Sequence, residues 1–170
     1  VSGGEPLLQM DFLLDLFRKA KARGMHTCID TAGQPFTRRE PFFGKFQALM
    51  EVTDLLLVDI KHIDADAHLK LTGCPNDNIR DMFCYLSAIH KPIWVRQVLV
   101  PGWTDAPDSL QRTRSFLDTL TNVVNAMWSA SRCCRITTWA SINGTSSAFP
   151  ISSAMCSRLR RKTCSRRGIS

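Results

Sequence analysis

Acidic residues stop at Asp118, and positions 124–170 hold eight Lys/Arg without a single Asp or Glu. Residues 1–123 carry 14 Lys/Arg against all 15 Asp/Glu, so the formal charge of +7 and the pI near 9.3 arise in the C-terminal stretch alone. That removes the usual inference from a basic pI, a nucleic-acid-binding domain charged throughout. The same stretch lacks helical or strand periodicity and is rich in Ser and Arg, which reads as a disordered or poorly packed basic tail. An apolar run of membrane-spanning length is missing, as is a signal-peptide pattern, so a soluble cytoplasmic protein with no membrane partner is expected. The seven cysteines (28, 74, 84, 133, 134, 156 and 164) show neither disulfide-scaffold nor zinc spacing and read as buried hydrophobes. His26, His62, His68 and His90 match no metal-ligand spacing and read as surface or packing residues.

What is there is an alternation of helices and strands over residues 1–123, the mark of βαβ units and a parallel sheet. Met10–Arg23 has Phe12, Leu13, Leu16, Phe17 and Ala20 at helical spacing and Gly24 as a stop. His26–Asp30 reads as a strand, Pro41–Met50 as a short helix, and Thr53–Lys61 as a strand buried on both faces. Asp64–Leu71 and Asn76–His90 read as helices, Pro92–Val100 as a strand stopped by Pro101-Gly102, and Pro107–Leu120 as a helix opened by Asp105. The fold class this predicts is α/β: part of a (β/α) barrel, with active groups at the C-terminal ends of the strands. The expected organisation is a partial barrel over 1–123 and the basic tail over 124–170.

Each candidate strand ends in polar residues: Asp30-Thr31, Asp59-Ile-Lys61, and Arg96-Gln97-Val98. An Asp closing an apolar strand is ordinarily a turn or cap residue, but three strands aiming charges at one rim argue for a site. The segments S-G-G-E-P (2–6), H-T-C-I-D-T-A-G (26–33), L-L-V-D-I-K-H-I-D (56–64), H-L-K-L-T-G (68–73) and W-V-R-Q-V-L-V-P-G-W-T-D (94–105) carry a resemblance. In order and spacing they resemble the glycyl-radical activating family of radical S-adenosylmethionine (SAM) enzymes, over residues 1 to about 123. The resemblance implies that Gly3, Gly4 and Glu5 meet the SAM amino group, and that Asp59 and Lys61 contact SAM and a substrate peptide. It also implies that Asp30 and Asp59 help hold a monovalent cation, and that Ile60, Arg96 and Val98 belong to the SAM pocket.

In such enzymes a reduced [4Fe-4S] cluster donates an electron to SAM, and the adenosyl radical takes hydrogen from a glycine of a partner enzyme. The implied partners are a glycyl-radical enzyme of the pyruvate formate-lyase type and a flavodoxin- or ferredoxin-type reductant. The cluster needs thiolates, which the family supplies from a C-x3-C-x2-C loop ahead of the Gly-Gly-Glu segment. Cys133, Cys134, Cys156 and Cys164 do not reproduce that spacing, so the cluster ligands are expected upstream of Val1.

Beyond residue 123 the resemblance stops, where the family continues with a strand like V-E-K-V-E-V-L-P-Y-H and a G-x-x-K-W segment. Back-translated and read from the third base of each codon, Met127 to Ile151 can spell V-E-R-I-E-V-L-P-Y-H-H-M-G-V-Y-K-W-D-E-L-G-I-P-Y. An out-of-frame translation after about residue 123 is therefore expected. The competing readings are an activase of another glycyl-radical enzyme, an unrelated barrel enzyme, and a basic nucleic-acid-binding protein using Arg158–Lys162 and Arg166-Arg167. The last lacks interleaved aromatics and any recognised binding motif, so no nucleic-acid partner is expected.

Overall fold

The computed structural model describes residues 1–121, 123–130 and 133–139. A short 3-10 turn, Pro6–Gln9, opens onto helix α1 (Met10–Lys21). There follow β1 (Cys28–Thr31), α2 (Phe42–Glu51), β2 (Leu55–Asp59), α3 (Ala65–Thr72), α4 (Asp77–Ala88), β3 (Ile93–Leu99) and α5 (Pro107–Leu117). Strands β4 (Val123–Ala130) and β5 (Cys133–Trp139) complete a sheet of order β1-β2-β3-β4-β5. The first three pairings are parallel and β4–β5 is antiparallel.

The parallel part follows from sequence, because each strand is short, apolar and separated from the next by helix, which is how parallel strands must be connected. Ile29, Leu56, Val58, Ile93 and Val95 alternate along their strands and join Leu13, Phe17, Phe46, Leu49, Met82, Phe83, Leu86 and Leu117 of the helices in one core. The intervening residues, Asp30, Leu57, Trp94, Arg96 and Val98, lie on the opposite, half-buried face. The expected strand 53–61 is thus buried on one face, with Leu55 and Leu57 only partly covered.

Two helix readings are corrected. In α1 only Met10, Leu13 and Phe17 are buried, whereas Phe12 is 61% and Leu16 37% exposed. Asp105 does not open α5: its Oδ1 accepts the Gly102 N–H (2.7 Å), and Ala106 holds the N-cap position without a side-chain cap. Residues 123–130 extend the parallel sheet and 133–139 pair back on them. Their backbone amides are satisfied by the neighbouring strand, an interaction that demands no apolar periodicity. Residues 140–170, with Cys156, Cys164 and the basic runs, lie outside the described residues.

At the far edge, Val1 pairs with β1. Its amino group donates to Cys28 O (2.5 Å) and its carbonyl accepts from Asp30 N (2.9 Å), bracketing Ile29 as a parallel neighbour would. The chain then leaves the sheet through Gly3 and Gly4, both at positive φ (106° and 58°). A Cβ at either would meet nothing within 4 Å, so glycine is required here by backbone conformation rather than by space.

Candidate functional site

The C-terminal ends of β1, β2 and β3 gather a charge cluster. Asp59 is paired in register with Arg96, and the Arg96 Nε donates to Asp59 Oδ1 at 2.5 Å. The rest of the guanidinium turns to β1, with Nη2 2.9 Å from Asp30 Oδ1 and Nη1 3.3 Å from Asp30 Oδ2. Lys61 Nζ lies 2.6 Å from the other Asp59 oxygen, and Ser2 Oγ donates to Asp30 Oδ2 at 3.1 Å. One arginine therefore bridges two strands' carboxylates, and a lysine closes the row. The charges arrive together because the parallel register places 59 opposite 96, and because Asp30, Asp59 and Arg96 all occupy the half-buried face.

Burial pushes the Asp59 carboxyl up, but the hydrogen bonds from Arg96 and Lys61 more than offset this and hold it below its ordinary value. The hydrogen bond to Asp59 raises the Arg96 guanidinium further, against its own desolvation. Above the cluster lies an open cleft of about 250 Å³, lined by Ser2–Gly4, Asp30–Ala32, Asp59, Lys61 and Arg96.

Of the residues expected at the site, Gly3, Gly4, Asp30, Asp59, Lys61 and Arg96 all line this one cleft. Ile60 and Val98 do not. Ile60 is 5% exposed, and its amide donates to Arg96 O, tying β2 to β3 at the rim. Val98 O accepts from Thr104 Oγ1 (2.8 Å), which fastens the turn after β3.

Glu5, expected to meet an ammonium, is a fastener in this structure. Its Oε1 accepts from Leu7 N (3.1 Å) and Thr31 Oγ1 (2.6 Å), and its Oε2 from Ala32 N (3.0 Å). The carboxylate caps the first turn and pins the glycine loop to the end of β1. Asp30 and Asp59, expected around a monovalent cation, have the Arg96 guanidinium between them, which supplies their counter-charge.

Two histidines read as surface or packing residues are deeply placed polar groups: His62 is 7% and His68 1% exposed. No spacing rule finds them, because their partners include the Cys74 carbonyl of the α3–α4 loop and the Ser109 hydroxyl of α5. Among the described residues no three Cys, His, Asp or Glu side chains group to hold a metal. Cys28, Cys74 and Cys84 are free thiols on separate elements, and burial raises the Cys28 thiol above its ordinary value.

No family model matches the chain. It is 52% identical over 123 residues to a pyruvate formate-lyase-activating enzyme of Listeria monocytogenes, and 48% identical over 123 residues to one of Staphylococcus aureus. Over the matched residues it is similar to the pyruvate formate-lyase-activating enzymes. The matches take in 72% of this chain and 50% and 49% of those relatives, so the chain spans about half the length of the curated relatives it matches.

Among solved structures it is similar to a domain of a pyruvate-formate lyase-activating enzyme from Bacteroides vulgatus, with a TM-score of 0.62, 26% identity and 72% of each chain covered. SuiB of Streptococcus suis, solved bound to S-adenosylmethionine, shares the fold at 14% identity (TM-score 0.61, covering 95% of this chain and 33% of that one). The α/β architecture with its small parallel sheet is therefore a fold shared with both of these proteins. No helix among the described residues is long and apolar enough to cross a membrane.

Proposed function

We propose that this chain forms the SAM-binding rim of an activating enzyme whose protein substrate is a glycyl-radical enzyme of the pyruvate formate-lyase type. The observation that carries the reading is the Asp30–Arg96–Asp59–Lys61 row beneath the Gly3-Gly4 loop. An amino acid's ammonium and carboxylate ask for opposite charges side by side, and this row offers both signs at one sheet edge. The glycine backbone borders the same cleft without side chains, so a ligand can approach its peptide groups closely.

The cleft's size fits part of such a cofactor. At about 250 Å³ it falls just short of the ~300–1,000 Å³ typical of small-molecule sites, which suits the methionine end. When bound, SAM supplies the adenosyl group that takes a hydrogen atom from the partner's glycine. The chain's own part is to hold and orient. Arg96 keeps the two carboxylates in place, Gly3 and Gly4 offer backbone groups, and Lys61 reaches ligand or peptide from the β2 end. Glu5 shapes the loop from behind. The described residues do not fit a [4Fe-4S] cluster, and the flavodoxin- or ferredoxin-type reductant is expected to act on a cluster held elsewhere in the enzyme.

The test is isothermal titration of the chain with SAM and with S-adenosylhomocysteine. Saturable binding that is lost in Asp59→Asn and in Arg96→Met is expected. Undiminished binding in both variants would place the ligand elsewhere and overturn the reading.

A further inference from the structure

We propose that Asn76, His62 and Ser109 are positioning residues, a buried bracket that sets the backbone of the loop after β2 and so fixes where Lys61 stands over the cleft. The proposal rests on the reading of Lys61 as a ligand contact. It assigns a purpose to three buried side chains that the cleft itself does not use.

Asn76 makes the case first. It occupies the N-cap position of α4, where an Asn ordinarily turns its side-chain oxygen onto the helix's free amides, yet it makes no cap bond. Its Nδ2 instead donates to two successive carbonyls of the β2 loop, His62 O and Ile63 O, each at 3.1 Å. Both partners are acceptors, which settles the orientation of the amide, and its Oδ1 is left buried without a protein partner. A 2%-exposed Asn that forgoes its helix cap to hold two carbonyls of a neighbouring loop is serving that loop.

His62 holds the same loop from the other side. Its Nδ1 accepts the Asp64 N–H (3.0 Å), so the neutral ring carries its proton on Nε2 and donates it to Ser109 Oγ of α5 (3.2 Å). Burial keeps the ring's proton affinity below the ordinary value, with Asp64, Arg112 and His68 as its charged or titratable neighbours. The loop is thus clamped by α4 through Asn76 and by α5 through His62 and Ser109. Lys61, one residue away, makes its single described side-chain bond to Asp59. A long, flexible ammonium delivers charge to a defined spot only if its Cα is fixed, since its four-carbon stem is not.

The test is a double-mutant cycle on the full chain, using S-adenosylhomocysteine binding. Lys61→Ala and Asn76→Ala should each weaken it about tenfold, the scale of one charge-assisted contact. Because both act through Lys61, the double variant should be no weaker than Lys61→Ala alone. Losses that multiply would make Asn76 merely structural and overturn the proposal. Ser109→Ala repeats the cycle if Asn76→Ala does not fold.

A readout free of ligand separates this proposal from the functional one. With lysines 13C-methylated, the Lys61 signal, identified by its disappearance in Lys61→Arg, should shift with Asp59 titration in the parent chain and lose that shift in Asn76→Ala. If no cofactor analogue binds but the shift is lost, the SAM reading fails and the positioning stands. A shift retained in Asn76→Ala sinks the positioning role.

Discussion

Arg96 is the residue on which the rim depends. Its side chain is 30% and that of Asp59 11% exposed, so removing the guanidinium would leave one nearly buried carboxylate, and Asp30 beside it, without its main counter-charge. Arg96→Met should cost about 1–3 kcal/mol of unfolding free energy, toward the lower side of a fully buried pair because of that exposure. Adding Asp59→Asn should recover part of the loss, as read by urea denaturation of the two variants and the parent. His62 gives a pH dependence of defined sign. Its folded value is depressed, so above about pH 6.5 the ring is neutral in both states and contributes no slope. Below that pH the unfolded chain takes up a proton that the folded ring resists, among Ser109, Asp64, Arg112 and His68, and stability should fall. Asp59 acts lower down, its contribution being lost as pH drops through its depressed folded value. Unfolding free energy measured from pH 8 to 5 should therefore decline below about 6.5, and His62→Gln should flatten that decline. An unchanged slope in the variant would assign the titration to another group.

Helices and strands were largely legible because each reads out a local pattern. Leu13 and Phe17 lie four residues apart and one turn of α1 buries both. The flanking Phe12 and Leu16 belong to the same apolar arc, and periodicity could not say on which side of it the sheet would lie. Leu13→Ala should cost about 2–4 kcal/mol, while Phe12→Ser should fall within about 0.5 kcal/mol of the parent. Comparable losses in the two would mean that the exposed face is covered. The α3 cap was not read from sequence as a cap, yet Asp64 Oδ1 accepts the Ala67 N–H (3.3 Å) and its Oδ2 pairs with Arg112. Asp64→Ala should lower the thermal midpoint through the loss of this cap, with far-ultraviolet circular dichroism reporting the melt.

For the molecule as a whole, the charge asymmetry and the break in resemblance coincide near residue 123. We propose a shifted reading frame as their common cause. Sequencing the coding DNA and reading codons 127–137 from the third base should yield V-E-R-I-E-V-L-P-Y-H; stop codons or unrelated residues in that frame would dispose of the idea. Binding should also show globally. A ligand held only by the folded state at about 100 times its Kd adds about 2.7 kcal/mol, so SAM should raise the thermal midpoint of the chain and not that of Arg96→Met.

Chain order, the parallel sheet over residues 1–123 and the identity of the rim charges were determined by the sequence alone, because short apolar strands separated by helices admit few other arrangements and strand ends are where such sheets expose function. Pairing was beyond it. Only the register that sets Asp59 against Arg96 made the arginine the shared partner of two carboxylates. Only the return of β1 beside the glycine loop turned Glu5 inward onto Thr31 and Ala32. His62, Asn76 and Ser109 are polar residues at unremarkable spacings, 14 and 47 positions apart in their contacts, and acquire a shared task only when α4 and α5 fold under one loop. Hydrogen bonds across such distances are fixed by packing, to which no local pattern in the chain gives access.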